Sequence, residues 1–441
     1  MEAADYILEA GWIVPVEPHG AVWPRHSLVI SDGRIRAALP REEAQRRYRP
    51  ETLVNLRHHA LLPGLVNAHT HAAMSLLRGY APDTELQTWL ERYIWPAERR
   101  HVDATFVADG ARLAIAEMLR GGTTCFNDMY YHPTATMEAA VAAGVRCMAG
   151  IRVLPMTLAW GPEPESCLEG GLGLLDRCRG QTLLRTSLAP HAPEALNGHL
   201  MRQLGILSRE HRLPVHLHLH ETAGETRAYA RRTGLRPLQR LARQGLVNRR
   251  LIAVHMTDLT PAEQALVAES GASVVHCPRS NLMLASGFCP VAELLTRGVN
   301  VALGTDGAAS SGSLDMLAEM RTAALLAKGV AGDSTALPAA TALRMATLNG
   351  AKALGLETET GSLTPGKFAD CIAIALDGTA GDGAAQVLSQ LVYSDCAGQV
   401  TDVWVAGQRL LADRRLTTLD TEAVLARADD WAARIGAGER P

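Results

Sequence analysis

The chain alternates between two hydrophobic rhythms. Residues 1–60 carry short β-type runs, Tyr6-Ile7-Leu8, Gly11-Trp12-Ile13-Val14 and Ser27-Leu28-Val29-Ile30. Asp32-Gly33, lying between Ile30 and Ile35, is a hairpin signal, because a tight turn between strands needs residues that tolerate positive φ. The C-terminal part has the same character. Ala369–Ile374 and Val400–Val405 read as strands, Ala406-Gly407-Gln408 as a turn, and Thr421–Ile435 as a closing helix. The middle differs. Eight short apolar runs recur there, at 61–68, 123–127, 146–153, 184–189, 214–219, 251–254, 272–275 and 299–304. Helical patterns separate them, often ended by glycine; Asp109–Arg120, closed by Gly121-Gly122, is one.

Strand–helix alternation repeated eight times predicts an α/β fold, a (β/α)8 TIM-like barrel. An open doubly wound sheet would place a glycine-rich phosphate loop after its first strand. Here the first strand runs instead into Asn67-Ala68-His69-Thr70-His71. The expected organisation is 1–60 as the first part of a small β-sandwich, 61–357 as the barrel, and 358–441 as the second part of the sandwich plus the helix. Both chain ends thus build one composite domain.

Active sites of such barrels lie at the C-terminal ends of the strands. In strand order those ends carry His69 and His71, then Asp128, Arg152, His191, then His218, His220 and Glu221, then His255, His276 and Asp306. His69-Thr70-His71 places two imidazoles on one side of a strand, facing the barrel axis. A third histidine on strand five and Asp306 on strand eight complete three imidazoles and a carboxylate, with room for a water molecule, which is the open pattern of a catalytic metal. His216, His218 and His220 share one parity, so they cannot all bind one ion. His218 is the chosen ligand, because it leaves Glu221 at the rim. His216 is expected as a buried neighbour and His220 as facing a loop or the helical layer. HETAG at 220–224 lacks the second histidine of a zincin helix, and no PCxxC occurs. No lysine ends any of the eight strands, which points to one divalent metal per subunit: zinc first, iron(II) or manganese(II) as alternatives.

Composition narrows the partners. The 441 residues hold 43 Lys+Arg against 46 Asp+Glu, so no basic field awaits nucleic acid or an anionic membrane. Aromatics at 4% offer no platform for stacking bases. No apolar run approaches the roughly 20 residues that span a bilayer, and Glu2 and Asp5 are the wrong charge for a signal peptide. The 8 cysteines form no CxxC pair and are expected as free thiols in a reducing cytoplasm.

The motifs PGLVNAHTH (63–71), GGTTCFND (121–128), HLHLHETAGE (216–225), HCPRSN (276–281) and GTDGAAS (304–310) resemble the amidohydrolase superfamily, and within it the 5-methylthioadenosine/S-adenosylhomocysteine deaminase family. The resemblance runs from about residue 5 to about residue 425. It implies a hydrolytic deaminase that converts an adenine nucleoside to its inosine analogue and ammonia, acting as a homo-oligomer, dimer or tetramer. The implied metal ligands are His69, His71, His218 and Asp306. Glu221 would shuttle a proton to the base, His255 would orient the attacking oxygen, and Asp306 would take its proton. Glu98 matches the acceptor of the ribose hydroxyls, and His191 and Arg152 match other substrate contacts.

There are departures. The stretch Trp160–Ser166 supplies no second arginine, so an amino-acid carboxylate would lack its bidentate partner, which favours an uncharged methylthio substrate over the homocysteine adduct. Arg279 also departs from the pattern and is given no role. The frame is shared with triazine chlorohydrolases and guanine deaminases, and an inactive barrel scaffold is the third reading. Structural roles compete for several residues. Asp128 also fits a loop anchor or helix cap, His276 a packed strand end, and Arg152 a partner of a rim carboxylate. Glu98 fits a solvated helix face beside Glu91, Arg92, Arg99 and Arg100, and Trp89 and Trp95 fit the core.

Overall fold

Eight parallel strands follow one another in simple sequence order: Leu65–Thr70, Thr123–Asp128, Arg146–Val153, Leu184–Pro190, Val215–Leu219, Leu251–His255, Ser273–His276 and Asn300–Leu303. The Asp306 N–H donates to the His69 carbonyl at 3.1 Å, which links the end of the last strand to the first and turns the sheet toward a closed barrel. The structure is a computed structural model and describes residues 1–80, 83–153, 164–193, 196–376 and 383–437. The strands are almost wholly buried and read as near-continuous apolar runs, as a parallel sheet covered by helices requires.

Two compact units divide the chain. One comprises Met1–Asn67, Ala116–Cys125 and Asp315–Asp420; the other comprises Ala68–Ile115, Phe126–Leu314 and Thr421–Pro441. Among the described residues, the first unit holds the strands of both chain ends in a single mixed sheet of nine. Cys371–Ala375 joins the two ends by pairing antiparallel with Tyr48–Pro63, which itself runs parallel to Glu2–Ile13. Alternation assigns the faces. Leu8, Ala10, Leu28, Ile30 and Trp404 share one cluster, while Ile7 and Val29 pack on Ala44 and Tyr48 from the other side. Ala44 sits on a helix, Arg41–Arg47, in a region expected to hold only strands and turns. Glu42 and Glu43 in its first turn and Arg46 and Arg47 in its last complement the helix dipole.

The apolar run at 61–68 is two strands, not one. Tyr48–Pro63 belongs to the mixed sheet and Leu65–Thr70 to the barrel. Gly64 makes the break possible, since a Cβ there would stand 2.0 Å from Thr124 Oγ1. In the second unit, Thr421–Ala437 buries Trp431 and Ile435 with Phe106, and Asp109 receives bonds from Trp431 Nε1 (3.0 Å) and Arg427 Nη2 (2.8 Å). No helix among the described residues is long and apolar enough to cross a membrane.

Candidate active site and metal centre

Strand period two carries His69 and His71 toward the barrel axis, and the same geometry on strand five presents His218. One donor atom from each of His69, His71, His218 and Asp306 lies within 4.8 Å of every other. Asp306 Oδ1 is 3.2 Å from His69 Nε2 and 3.1 Å from His71 Nε2, and the His69 and His218 Nε2 atoms are 3.2 Å apart. The remaining ring nitrogens are already engaged. His71 Nδ1 donates to the Met129 carbonyl at 2.6 Å and His218 Nδ1 to the His191 carbonyl at 2.9 Å, which leaves their Nε2 lone pairs for a cation. His69 Nδ1 is 2.8 Å from His216 Nε2. The other Asp306 oxygen, Oδ2, accepts from Ser280 Oγ at 2.6 Å and Ser310 Oγ at 3.0 Å. Three oriented imidazoles and one fixed carboxylate fit a divalent metal.

Charge supports the same reading. Burial works against ionised Asp306, yet the His69 and His71 imidazoles beside it hold its carboxyl well below the usual range. Burial pushes His69 down to about 4 and His218 well below its ordinary value, so both stay neutral and ready to ligate. Close packing is enforced by Gly304, where a Cβ would stand 2.9 Å from His69 Cβ.

The C-terminal strand ends are sharply turned. His220, His255, Met256 and Asp306 have φ of 52°, 75°, 52° and 59°, a region that favours glycine. The turn at His220 takes its ring off the axis. Its Nδ1 donates to the Asp258 carbonyl (2.8 Å) and its Nε2 accepts from Leu238 N–H (3.1 Å), so it serves the neighbouring loop. The turn at His255 presents Nε2 to Glu221 Oε2 at 3.7 Å, while its Nδ1 donates to Asn281 Oδ1 at 2.8 Å.

A cleft opens above the four ligands. Its inner wall carries Glu221, His255, His191, Arg152 and Glu98; Met74, Leu86, Trp89, Trp95 and Leu284 give an apolar side. A model of the amidohydrolase family matches residues 60–410. A 5-methylthioadenosine/S-adenosylhomocysteine deaminase of Teredinibacter turnerae is 46% identical over 433 residues, 98% of each chain. An adenosine deaminase from Xanthomonas campestris, solved with bound zinc, is 48% identical, covers 99% of both chains and superposes with a TM-score of 0.97. This chain belongs to the amidohydrolase family. Within it, the chain falls in the 5-methylthioadenosine/S-adenosylhomocysteine deaminase branch. An atrazine chlorohydrolase from Arthrobacter aurescens TC1 is 22% identical over 97% of this chain and all of its own, with a TM-score of 0.89, a likeness of fold alone.

In this amidohydrolase Glu221 stands beside the ligands without joining them. Burial raises its carboxyl to about 7, against the pull of His255. Glu98 is only 4% exposed although its neighbours Arg99 and Arg100 face water, because the helix Trp95–His101 turns Ala97 and Glu98 inward. Burial raises its carboxyl too, opposed first by Arg152. Arg152 lies over the Tyr131 ring, its Cζ 3.5 Å from the centroid, and makes no ion pair among the described residues. Burial and the Arg152 charge push His191 down to about 3. Asp128 anchors a loop: Oδ1 accepts from Ala72 N–H at 2.7 Å and Oδ2 from Thr136 Oγ1 at 3.1 Å. His276 is a buried strand end, and Arg279 donates to Ser313 Oγ at 2.6 Å. Trp89 and Trp95 both line the cleft, and Trp89 also packs in the core. In Trp160–Ser166, residues 160–163 lie outside the described residues. Sequence reasoning missed Tyr130, Tyr131, Asn281, Ser280 and Ser310. HCPRSN carries Ser280 and Asn281 and GTDGAAS carries Ser310, so a signal for these three stands in the sequence.

Proposed function

We propose that this chain is a metal-dependent deaminase of adenine nucleosides that takes 5′-methylthioadenosine by preference. One observation carries the reading: a carboxyl group poised to hold a proton near neutral pH, Glu221, stands 3.7 Å from His255 in the cleft above the four ligands, and the buried carboxyl of Glu98 lines the same cleft. A zinc ion held by His69, His71, His218 and Asp306 would act as a Lewis acid that lowers the pKa of a water molecule to about 7.

The side chains do the rest. Glu221 delivers its proton to ring nitrogen N1 of adenine, which makes C6 electrophilic. His255, whose Nδ1–H is taken by Asn281, accepts a hydrogen bond from the attacking oxygen at Nε2 and directs the lone pair at C6. Asp306 Oδ2 is held by two hydroxyls, and its carboxylate takes the oxygen's proton on the side facing the ring. The exocyclic amine takes the proton held by Asp306, the C6–N bond breaks and ammonia leaves; the remaining hydroxyl proton returns to Glu221 as the C6 carbonyl forms, and one water molecule has been consumed. Glu98 accepts from the ribose hydroxyls and His191 contacts the substrate. The apolar side suits a methylthio group. The near-neutral net charge fits a cytoplasmic enzyme acting on a small molecule, without nucleic acid or membrane.

The test is the absorbance change of adenine to hypoxanthine on 5′-methylthioadenosine, adenosine and S-adenosylhomocysteine, with chloride release from a chlorotriazine alongside. Turnover of the first two, and metal analysis that finds zinc, is the expected result. Chloride release without deamination would sink the reading. The acid form of Glu221 is the working form, so kcat/KM should fall as pH rises through about 7. A profile flat across that range removes Glu221 as the acid.

A further inference from the structure

We propose that Tyr131 is the positioning residue of the ribose end of the cleft: its hydroxyl fixes the Glu98 carboxylate, and its ring carries the Arg152 guanidinium. The inference rests on the reading that Glu98 accepts from ribose hydroxyls.

Tyr131 Oη donates to Glu98 Oε2 at 3.3 Å. That hydroxyl, with Tyr130 beside the same carboxyl, keeps a buried group supplied with a hydrogen bond that favours its charged, accepting form. The ring acts on the other partner. With Arg152 Cζ 3.5 Å from the Tyr131 centroid, the guanidinium is held by its face. Stacking uses none of its in-plane N–H groups. Arg152 Nε and Nη1 are in fact buried without a hydrogen-bond partner among the described residues, which leaves them for an acceptor on the substrate.

Tyr131 is itself held. Tyr130 packs edge-on against it, with ring centroids 5.1 Å apart. The loop that bears both tyrosines is tied by Met129 N–H to the Thr70 carbonyl (2.9 Å), by the Met129 carbonyl to His71 Nδ1 (2.6 Å) and by both oxygens of Asp128. One rigid side chain therefore sets the position of two polar contacts that arrive from distant parts of the sequence.

Two variants separate hydroxyl from ring. Tyr131→Phe keeps the ring under Arg152 and removes the bond to Glu98; Tyr131→Leu removes both. On the metal-loaded, full-length enzyme, kcat and KM are measured for adenosine, 2′-deoxyadenosine and 3′-deoxyadenosine, with metal content and thermal midpoint recorded. Tyr131→Phe is expected to raise KM for adenosine about tenfold, the loss of one hydrogen bond to a charged group. The preference for adenosine over the two deoxynucleosides should shrink with it, since Glu98 no longer presents a fixed acceptor. Tyr131→Leu should raise KM further for all three. Undiminished preference and a wild-type KM in Tyr131→Phe would overturn the assignment. So would a uniform fall in kcat on all three substrates with a lowered midpoint, the mark of a merely structural tyrosine. Wild-type enzyme inactive on every nucleoside would overturn the deaminase reading itself, and this inference with it.

Discussion

Glu221→Gln is expected to retain its metal and to lose kcat by about 10²–10⁴-fold, the contribution of a well-placed general acid. Glutamine keeps the size of the side chain and can still donate a hydrogen bond, so substrate binding should change little. It cannot give up a proton. Glu221 supplies none of the four clustered donor atoms, and metal content should therefore match wild type. Because burial holds the Glu221 carboxyl near 7, the variant should also lose the alkaline fall in the pH profile. Turnover close to wild type would take Glu221 out of the mechanism.

Asp306→Asn is expected to abolish both metal retention and activity. Asp306 is the one carboxylate among the four donors, and its Oδ1 faces two ligand imidazoles at 3.1 and 3.2 Å. An amide there leaves a buried dication with no counter-charge beside it, and removing one partner of a buried charge pair typically costs about 3–5 kcal/mol. Its NH2 group must also lie against either the imidazoles or the serine hydroxyls. A milder version tests the same logic: Ser310→Ala deletes one of the two bonds to Oδ2 and should weaken metal affinity about 10-fold, at the lower end for partners of a metal ligand. Competition against a chelator measures both. Wild-type metal retention in Asp306→Asn would overturn its place among the ligands.

The barrel was legible because its strands are short and uniformly apolar, and the imidazoles stand out at their ends. The parity of His216, His218 and His220 limited the choice on strand five; what parity could not show is that positive φ at His220 swings that ring away. The first-unit sheet was only partly legible. Tyr48–Pro63 pairs with Glu2–Ile13 from far along the chain, and its mixed composition follows from partners that sequence does not show. Glu98 sits among charged neighbours that suggest a solvated face, and only the orientation of a short helix reveals that it points inward. Tyr131 carried no signal at all. An aromatic residue after a strand is ordinary, and its meaning comes from Glu98 and Arg152 converging on it.

The sharply turned backbone at the strand ends bears on any attempt to make this enzyme sturdier. His255 and Met256 hold φ of 75° and 52°, where a side chain typically costs about 1–3 kcal/mol of strain and glycine would be at ease. Asp306 is held in the same region at 59°. Directed evolution that rewards heat tolerance alone would be drawn to glycine at 255 and 306, and the winners would be robust barrels with nothing left to bind or turn over. A stabilisation campaign on this scaffold needs a turnover screen in every round, with those positions withheld from the library.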